Sequence, residues 1–164
     1  MICAPLVLGL VAAQRLGELV LARQNTRRLK VAGAIEIGAD HYPLFVLLHG
    51  SWLVALAVFT PWTTLPNPWL IGLFVLLQLG RVWVIVTLGR FWTTRIITLA
   101  GAPLVWRGPY RFVRHPNYWS ASLELAVLPL AFGQIWIALV WSVANALLVR
   151  HRVRIEEGAL SERI

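Results

Sequence analysis

The chain reads as an all-α integral membrane protein. It is expected to fold as a single membrane domain over 1–164, a bundle of about five transmembrane helices. Three observations predict this. The sequence is 59% hydrophobic and only 13% charged, with a mean hydropathy of +0.71. A soluble domain of 164 residues could not hide so much apolar surface, whereas a bilayer can. Long apolar runs also alternate with short basic segments, the pattern left by loops retained on the positive side of a membrane.

The first helix is expected at 5–22. Gly9, Ala13 and Gly17 form a small-residue stripe there that lets another helix approach. No basic stretch precedes this run, so it is expected to stay as a helix rather than be cleaved as a leader. The second helix is expected at 43–60, with His49 and Ser51 inside it, and the third at 69–88, with Gln78 and Arg81 inside it.

The apolar stretch after Tyr118 is too long for one span. As one helix it would reach about 48 Å at about 1.5 Å per residue, against a hydrocarbon core of about 30 Å. Gly133 and Gln134 divide it into a helix-turn-helix hairpin, expected at 118–132 and 135–155. Pro129 kinks its first limb. The remaining segment, 89–117, carries several Gly and Pro residues and is expected to hold loops and short helical turns.

Charge then sets the orientation. Arg23, Arg27, Arg28 and Lys30 follow the first helix. Arg90, Arg95, Arg107, Arg111 and Arg114 follow the third, and Arg150, Arg152 and Arg154 end the last. The connection 60–68 carries no charge. Five helices bring every basic segment to one side, with the N-terminus outside and the C-terminus in the cytoplasm. The net charge of +8 therefore points to a membrane rather than to nucleic acid. Cys3 is the single cysteine and can close no intramolecular disulfide. The histidines stand singly, so no metal site is expected.

Several polar residues could carry chemistry. His115-Pro116 places an imidazole at a helix entrance, beside backbone N–H groups that suit an anionic or zwitterionic ligand. It could equally be a turn cap. Arg154 pairs in spacing with Glu157, and Arg152 with Glu156; a solvated helix end touching lipid head groups competes with a site. Arg15, Glu18, Arg81 and Glu124 lie inside apolar runs, so each should face the bundle interior. Arg15 can pair with Glu18, and Arg81 can meet Glu124. Asn145 is expected to hydrogen-bond between helices.

The order GPYRFVRHPNY (Gly108–Tyr118), a helical hairpin, then RVRIEE (Arg152–Glu157) resembles the isoprenylcysteine carboxyl methyltransferase family of integral membrane methyltransferases. The resemblance covers roughly Leu88–Leu160. RHPNYW, Glu124 and NALLVRHRVRIEE are most similar to small bacterial members, some of which methylate lipidic phenols or pyrones made by type III polyketide synthases. This implies S-adenosylmethionine as methyl donor, bound at the cytoplasmic face of a bacterial plasma membrane. It implies a lipophilic small molecule entering from the bilayer as acceptor, a phenol or pyrone hydroxyl or a prenylcysteine-like carboxylate, with membrane lipids as surroundings. His115 and Tyr118 would meet the cofactor's amino-acid end. Leu104, Val105, Gly108, Pro109 and Tyr110 would line it. Glu156 or Glu157 would hold one of its polar parts, and Arg154 would point to the reacting oxygen. Ser120 stands where the family often has Gly.

A carboxylate acceptor needs orientation by a cation and no base; a phenol must lose a proton. Glu124 is the candidate base, unless Arg81 claims it. Three other readings remain. N-methylation of a phospholipid amine favours carboxylates over arginine around the acceptor. A non-catalytic module would bind lipid or a partner through charge alone. A nicotinamide-dependent membrane reductase has no dinucleotide-binding glycine pattern here.

Overall fold

The computed structural model describes residues 3–161. Five long helices carry the fold: α1 (Ala4–Val31), α2 (Tyr42–Phe59), α3 (Pro68–Leu88), α4 (Pro116–Ala131) and α5 (Ile135–Ser161). A two-stranded antiparallel sheet joins β1 (Ile35–Ile37) to β2 (Ile96–Thr98), with Glu36 opposite Ile97. The all-α reading did not include this sheet. It lies between α1 and α2 on one side and inside the 89–117 connection on the other, and it staples those connections together.

Three helical segments, Ala4–Val31, Ala39–Phe59 and Pro68–Phe91, are long and apolar enough to cross a membrane. Large apolar side chains face outward around the bundle, among them Leu10, Val54, Leu76, Val86 and Val143. In water that surface would be a liability; lipid solvates it. Exposed Trp62, Trp69 and Trp136 ring the uncharged end, and exposed Trp106 and Trp119 the basic end. Such aromatic belts suit the two interfaces.

The helix ends follow local chemistry. Pro68 starts α3 behind Asn67, whose side-chain oxygen accepts from the backbone N–H groups of Trp69 (3.0 Å) and Leu70 (3.3 Å). Pro116 likewise starts α4, behind His115, whose side chain makes no capping hydrogen bond. The hairpin turn at 132–134 uses Gly133 at φ 72°, a conformation that suits glycine. The α4–α5 tip is clasped to the α2–α3 connection. Asn67 N–H donates to the Ala131 carbonyl (2.8 Å) and the Gln134 amide to the Phe59 carbonyl (3.0 Å).

α1 runs to Val31 and α5 to Ser161, beyond the expected ends at 22 and 155. The apolar run stops at the membrane boundary, but Arg, Gln and Lys are good helix formers and carry the helix into water. The core runs between all five helices, with Val11, Trp52, Leu56, Phe74, Leu125, Leu128 and Ile137 buried in it. α1 is held partly by polar contacts: the Asn25 amide donates to the carbonyls of Gly89 (3.2 Å) and Trp92 (2.8 Å).

Glu36 ties the sheet to the helices. Its carboxylate accepts from Lys30 (2.6 Å) and is paired with Arg95. Burial pushes the Glu36 carboxyl up, but hydrogen bonds from Lys30 and Arg95 and their charges outweigh it and hold it below 4.5. A lowered folded-state pKa contributes stability that is fully present above 4.5 and is lost as pH falls through the folded value. Thermal unfolding in detergent is therefore expected to show a decline below about pH 4.5 that Glu36→Gln flattens. The Lys30 and Arg95 ends are accessible to water, so the effect is about 1 kcal/mol or less.

Candidate functional site

The basic end holds a small polar cavity of about 100 Å³ beneath the 89–117 connection. Phe91, Trp92, Tyr110, His115, Tyr118 and Glu156 are among its walls. Pro116 fixes the entrance of α4, so His115 stands immediately before it with its ring free of the helix end, and Tyr118 follows in the first turn. The two rings stack, with centroids 5.6 Å apart and planes at 25°. His115 Nε2 lies 3.3 Å from Glu157 and Nδ1 lies 3.9 Å from Glu156. The Tyr118 hydroxyl donates to Glu156 and accepts from Arg152 Nε (2.7 Å). Arg152 also donates through Nη2 to the Thr94 carbonyl (2.8 Å). Burial and the neighbouring Glu156 both push the Tyr110 phenol up, so it stays neutral.

A larger cavity of about 380 Å³ continues inward between α1, α2, α4 and α5. Its walls are mainly apolar, with Leu16, Leu19, Phe45, Val46 and Leu53 among them. Trp92, Asn117, Tyr118 and Arg152 border both cavities. The polar chamber at the basic end and the greasy chamber in the bundle thus meet at one partition. Leu16 and Val46 are also exposed at the α1–α2 seam, which gives the inner chamber a lipid-facing side.

The structure brings His115, Tyr118, Tyr110 and Glu156 together around the polar chamber, and exposed Glu157 reaches His115 from outside its walls. Four other expected lining residues do not border it. Leu104 and Val105 lie partly buried in an irregular stretch. Gly108 and Pro109 seat the connection on α3 instead. Gly108 has φ +59°, and a Cβ there would come 2.5 Å from Thr87 Oγ1, so only glycine allows that approach.

Arg154 is also misplaced by the sequence reading. It is exposed and borders neither cavity, and Arg152, 6% exposed, takes the inward position. Positions two apart on a helix point to nearly opposite faces, and Arg152 shares a face with Glu156 four residues on. That spacing was the signal that could have found it. Thr94 and Asn25 carried no such signal, because their roles arise only when distant segments meet.

Glu124 is placed away from both chambers. Arg81 Nε donates to its two oxygens (2.8 and 3.1 Å), Ser120 donates at 2.8 Å, and Arg15 pairs with it. Arg15 and Arg81 also reach Glu18, at 2.7 and 3.5 Å. With its oxygens engaged by two guanidiniums, Glu124 is a structural anion rather than a free base. Asn145 donates to Ser122 (2.8 Å) across α4 and α5.

The architecture defines a polytopic membrane protein with a polar chamber and an apolar one on either side of a shared wall. Residues 70–162 match the model of the isoprenylcysteine carboxyl methyltransferase (ICMT) family. The chain is also similar to the uncharacterized protein YpbQ of Bacillus subtilis (strain 168), 34% identical over 161 residues and covering 96% of each chain. No solved structure matches. This chain belongs to the ICMT family, a family of membrane methyltransferases.

Proposed function

We propose that the protein is an S-adenosylmethionine-dependent O-methyltransferase for a lipophilic acceptor, working where the basic end meets the cytoplasm. The observation that carries this reading is the shared partition of Trp92, Asn117, Tyr118 and Arg152 between a polar and an apolar chamber. A two-substrate transfer between a water-soluble donor and a greasy acceptor needs two such compartments in contact.

The polar chamber's side chains fit the donor's chemistry. The Glu156 carboxylate suits an ammonium or ribose hydroxyls, His115, held by Glu157, suits a carboxylate, and Phe91, Trp92 and Tyr110 offer aromatic faces to an adenine and a sulfonium. When bound, the cofactor supplies a methyl group carried on a cationic sulfur. The chain's own part is positioning and exclusion of water. Tyr118, held between Glu156 and Arg152, sets one side of the partition. Arg152 offers its remaining guanidinium nitrogen toward the acceptor's oxygen. Leu16, Phe45 and Val46 hold the acceptor's hydrocarbon and keep water out.

Five spans with every basic segment at one end put that end in the cytoplasm by the positive-inside bias. Acceptors then reach the inner chamber sideways through the α1–α2 seam.

Binding is tested first, by thermal unfolding in detergent with S-adenosylmethionine or S-adenosylhomocysteine. At about 100 times the dissociation constant a stabilisation of about 2.7 kcal/mol is expected. No shift with either ligand at millimolar concentration would refute the reading. Methyl incorporation into an alkylphenol, a fatty acid and phosphatidylethanolamine then separates hydroxyl, carboxylate and amine acceptors.

A further inference from the structure

His49 lies within the apolar helix α2, one turn beyond Phe45 from the basic end. A polar ring at that depth is costly unless it has a task. Its Nδ1 is 2.9 Å from the Phe45 carbonyl. A carbonyl can only accept, so the proton is on Nδ1 and the neutral ring keeps a lone pair on Nε2. No described residue hydrogen-bonds to Nε2. The ring borders the inner chamber, together with Phe45 and with the partition residues Tyr118 and Arg152.

The other ionisable groups around this chamber are occupied. Glu18 on α1 is held by Arg15 and Arg81, and Glu124 on α4, behind the wall, is held by the same two arginines. Arg152 on α5 is bonded to Tyr118 and Thr94. Tyr42, on His49's own helix, accepts from Thr94 Oγ1 at 3.4 Å. Asn145 Oδ1 has no hydrogen-bond partner, but an amide oxygen is not a base. Among the described residues lining the chamber, the arginines are permanently protonated and cannot accept a proton, which leaves the imidazole as the neutral nitrogen base.

We infer that His49 Nε2 is the general base for an acceptor whose reacting group is a weakly acidic hydroxyl, a phenol or an enol, on an apolar body. The inference rests on the methyltransferase reading above and deepens it. In the step it describes, the acceptor's O–H bond breaks and the proton passes to Nε2. The oxygen bonds to the methyl carbon as the carbon–sulfur bond breaks, and that electron pair leaves with sulfur as a neutral thioether. The imidazolium then returns its proton to water. The hydrogen bond from Nδ1–H to Phe45 holds the ring and keeps the correct nitrogen free. A carboxylic acid is already ionised near neutral pH and does not need this group.

The test uses the full chain in detergent with an alkylphenol and a fatty acid of equal chain length. His49→Gln is expected to lower kcat on the phenol about a hundredfold or more, with KM little changed and S-adenosylmethionine binding and thermal unfolding as in the wild type. Fatty-acid methylation should not fall, and the phenol rate should recover at alkaline pH, where the phenol ionises unaided. A readout independent of turnover is ¹⁵N NMR of histidine-labelled protein. Nε2 of His49 should be unprotonated at neutral pH and shift when the alkylphenol binds, and the resonance should vanish in His49→Gln. The proposal is overturned by a phenol rate in His49→Gln within about twofold of wild type, by equal loss on both acceptors, or by an unmutated enzyme that methylates the acid and not the phenol. Absence of S-adenosylmethionine binding would instead remove the methyltransferase reading, and this step with it.

Discussion

Arg152→Ala is expected to abolish methyl transfer and weaken S-adenosylmethionine binding, while Arg154→Ala leaves both near the wild-type level. Arg152 is the one arginine at the partition, with the Tyr118 hydroxyl on one nitrogen and the Thr94 carbonyl on another. It also lies over the Phe45 ring at 5.1 Å. Its loss frees Tyr118 to rotate, leaves the Thr94 carbonyl without its donor and removes the counter-charge beside Glu156. Displacing a positioning group by about 1 Å can cost about a hundredfold in rate, and here two groups lose their anchor at once. A drop in kcat/KM of at least that size is expected, with a weaker dissociation constant by calorimetry. Arg152→Lys should restore little, because a single ammonium cannot serve two partners held in a guanidinium's fork. Equal effects of Arg152→Ala and Arg154→Ala would mean that charge, not placement, matters.

The largest loss of stability is expected from Glu124→Ala. Its carboxylate, 1% exposed, neutralises Arg81 and Arg15 inside the bundle. Removing one partner of a buried pair leaves the other charge uncompensated, at about 3–5 kcal/mol. Glu18→Ala should cost less, since Glu18 is more accessible and Glu124 still serves both arginines. Thermal unfolding in detergent would rank the variants. The double variant Arg81→Met/Glu124→Leu should recover much of the loss, because apolar residues of similar volume often replace a buried pair without penalty. Unchanged unfolding in Glu124→Ala, with activity alone lost, would return Glu124 to the role of a base.

The helices were legible because lipid imposes a crude rule: long apolar runs, ended by Pro, Gly or charge. The hairpin could be read from Gly133-Gln134 and from the mismatch between run length and bilayer thickness. His115, Tyr118, Glu156 and Glu157 were legible as a group because Pro116 and the paired glutamates stand out against an apolar background. The strands were not. IEI and IIT are too short to show a period, and each exists only because the other lies opposite. Arg154 drew attention from its place beside the glutamates, although the four-residue spacing of Arg152 and Glu156 marks the face of α5 that turns toward Tyr118. Arg81 was a foreseeable partner for Glu124. The second guanidinium on it, from Arg15 on α1, depends on a helix packing that no local pattern encodes.

The clasp between Asn67 and Ala131 and between Gln134 and Phe59 places the tips of α2, α3 and α4 at one level. Counted from those tips, α4 has 16 residues, about 24 Å at about 1.5 Å per residue, against about 32 Å for the 21 residues of Ala39–Phe59 beside it. The start of α4, with His115 and Tyr118, is therefore recessed below the level at which the α2 segment begins. That recess shortens the distance over which a tail-anchored head group must lift to be modified.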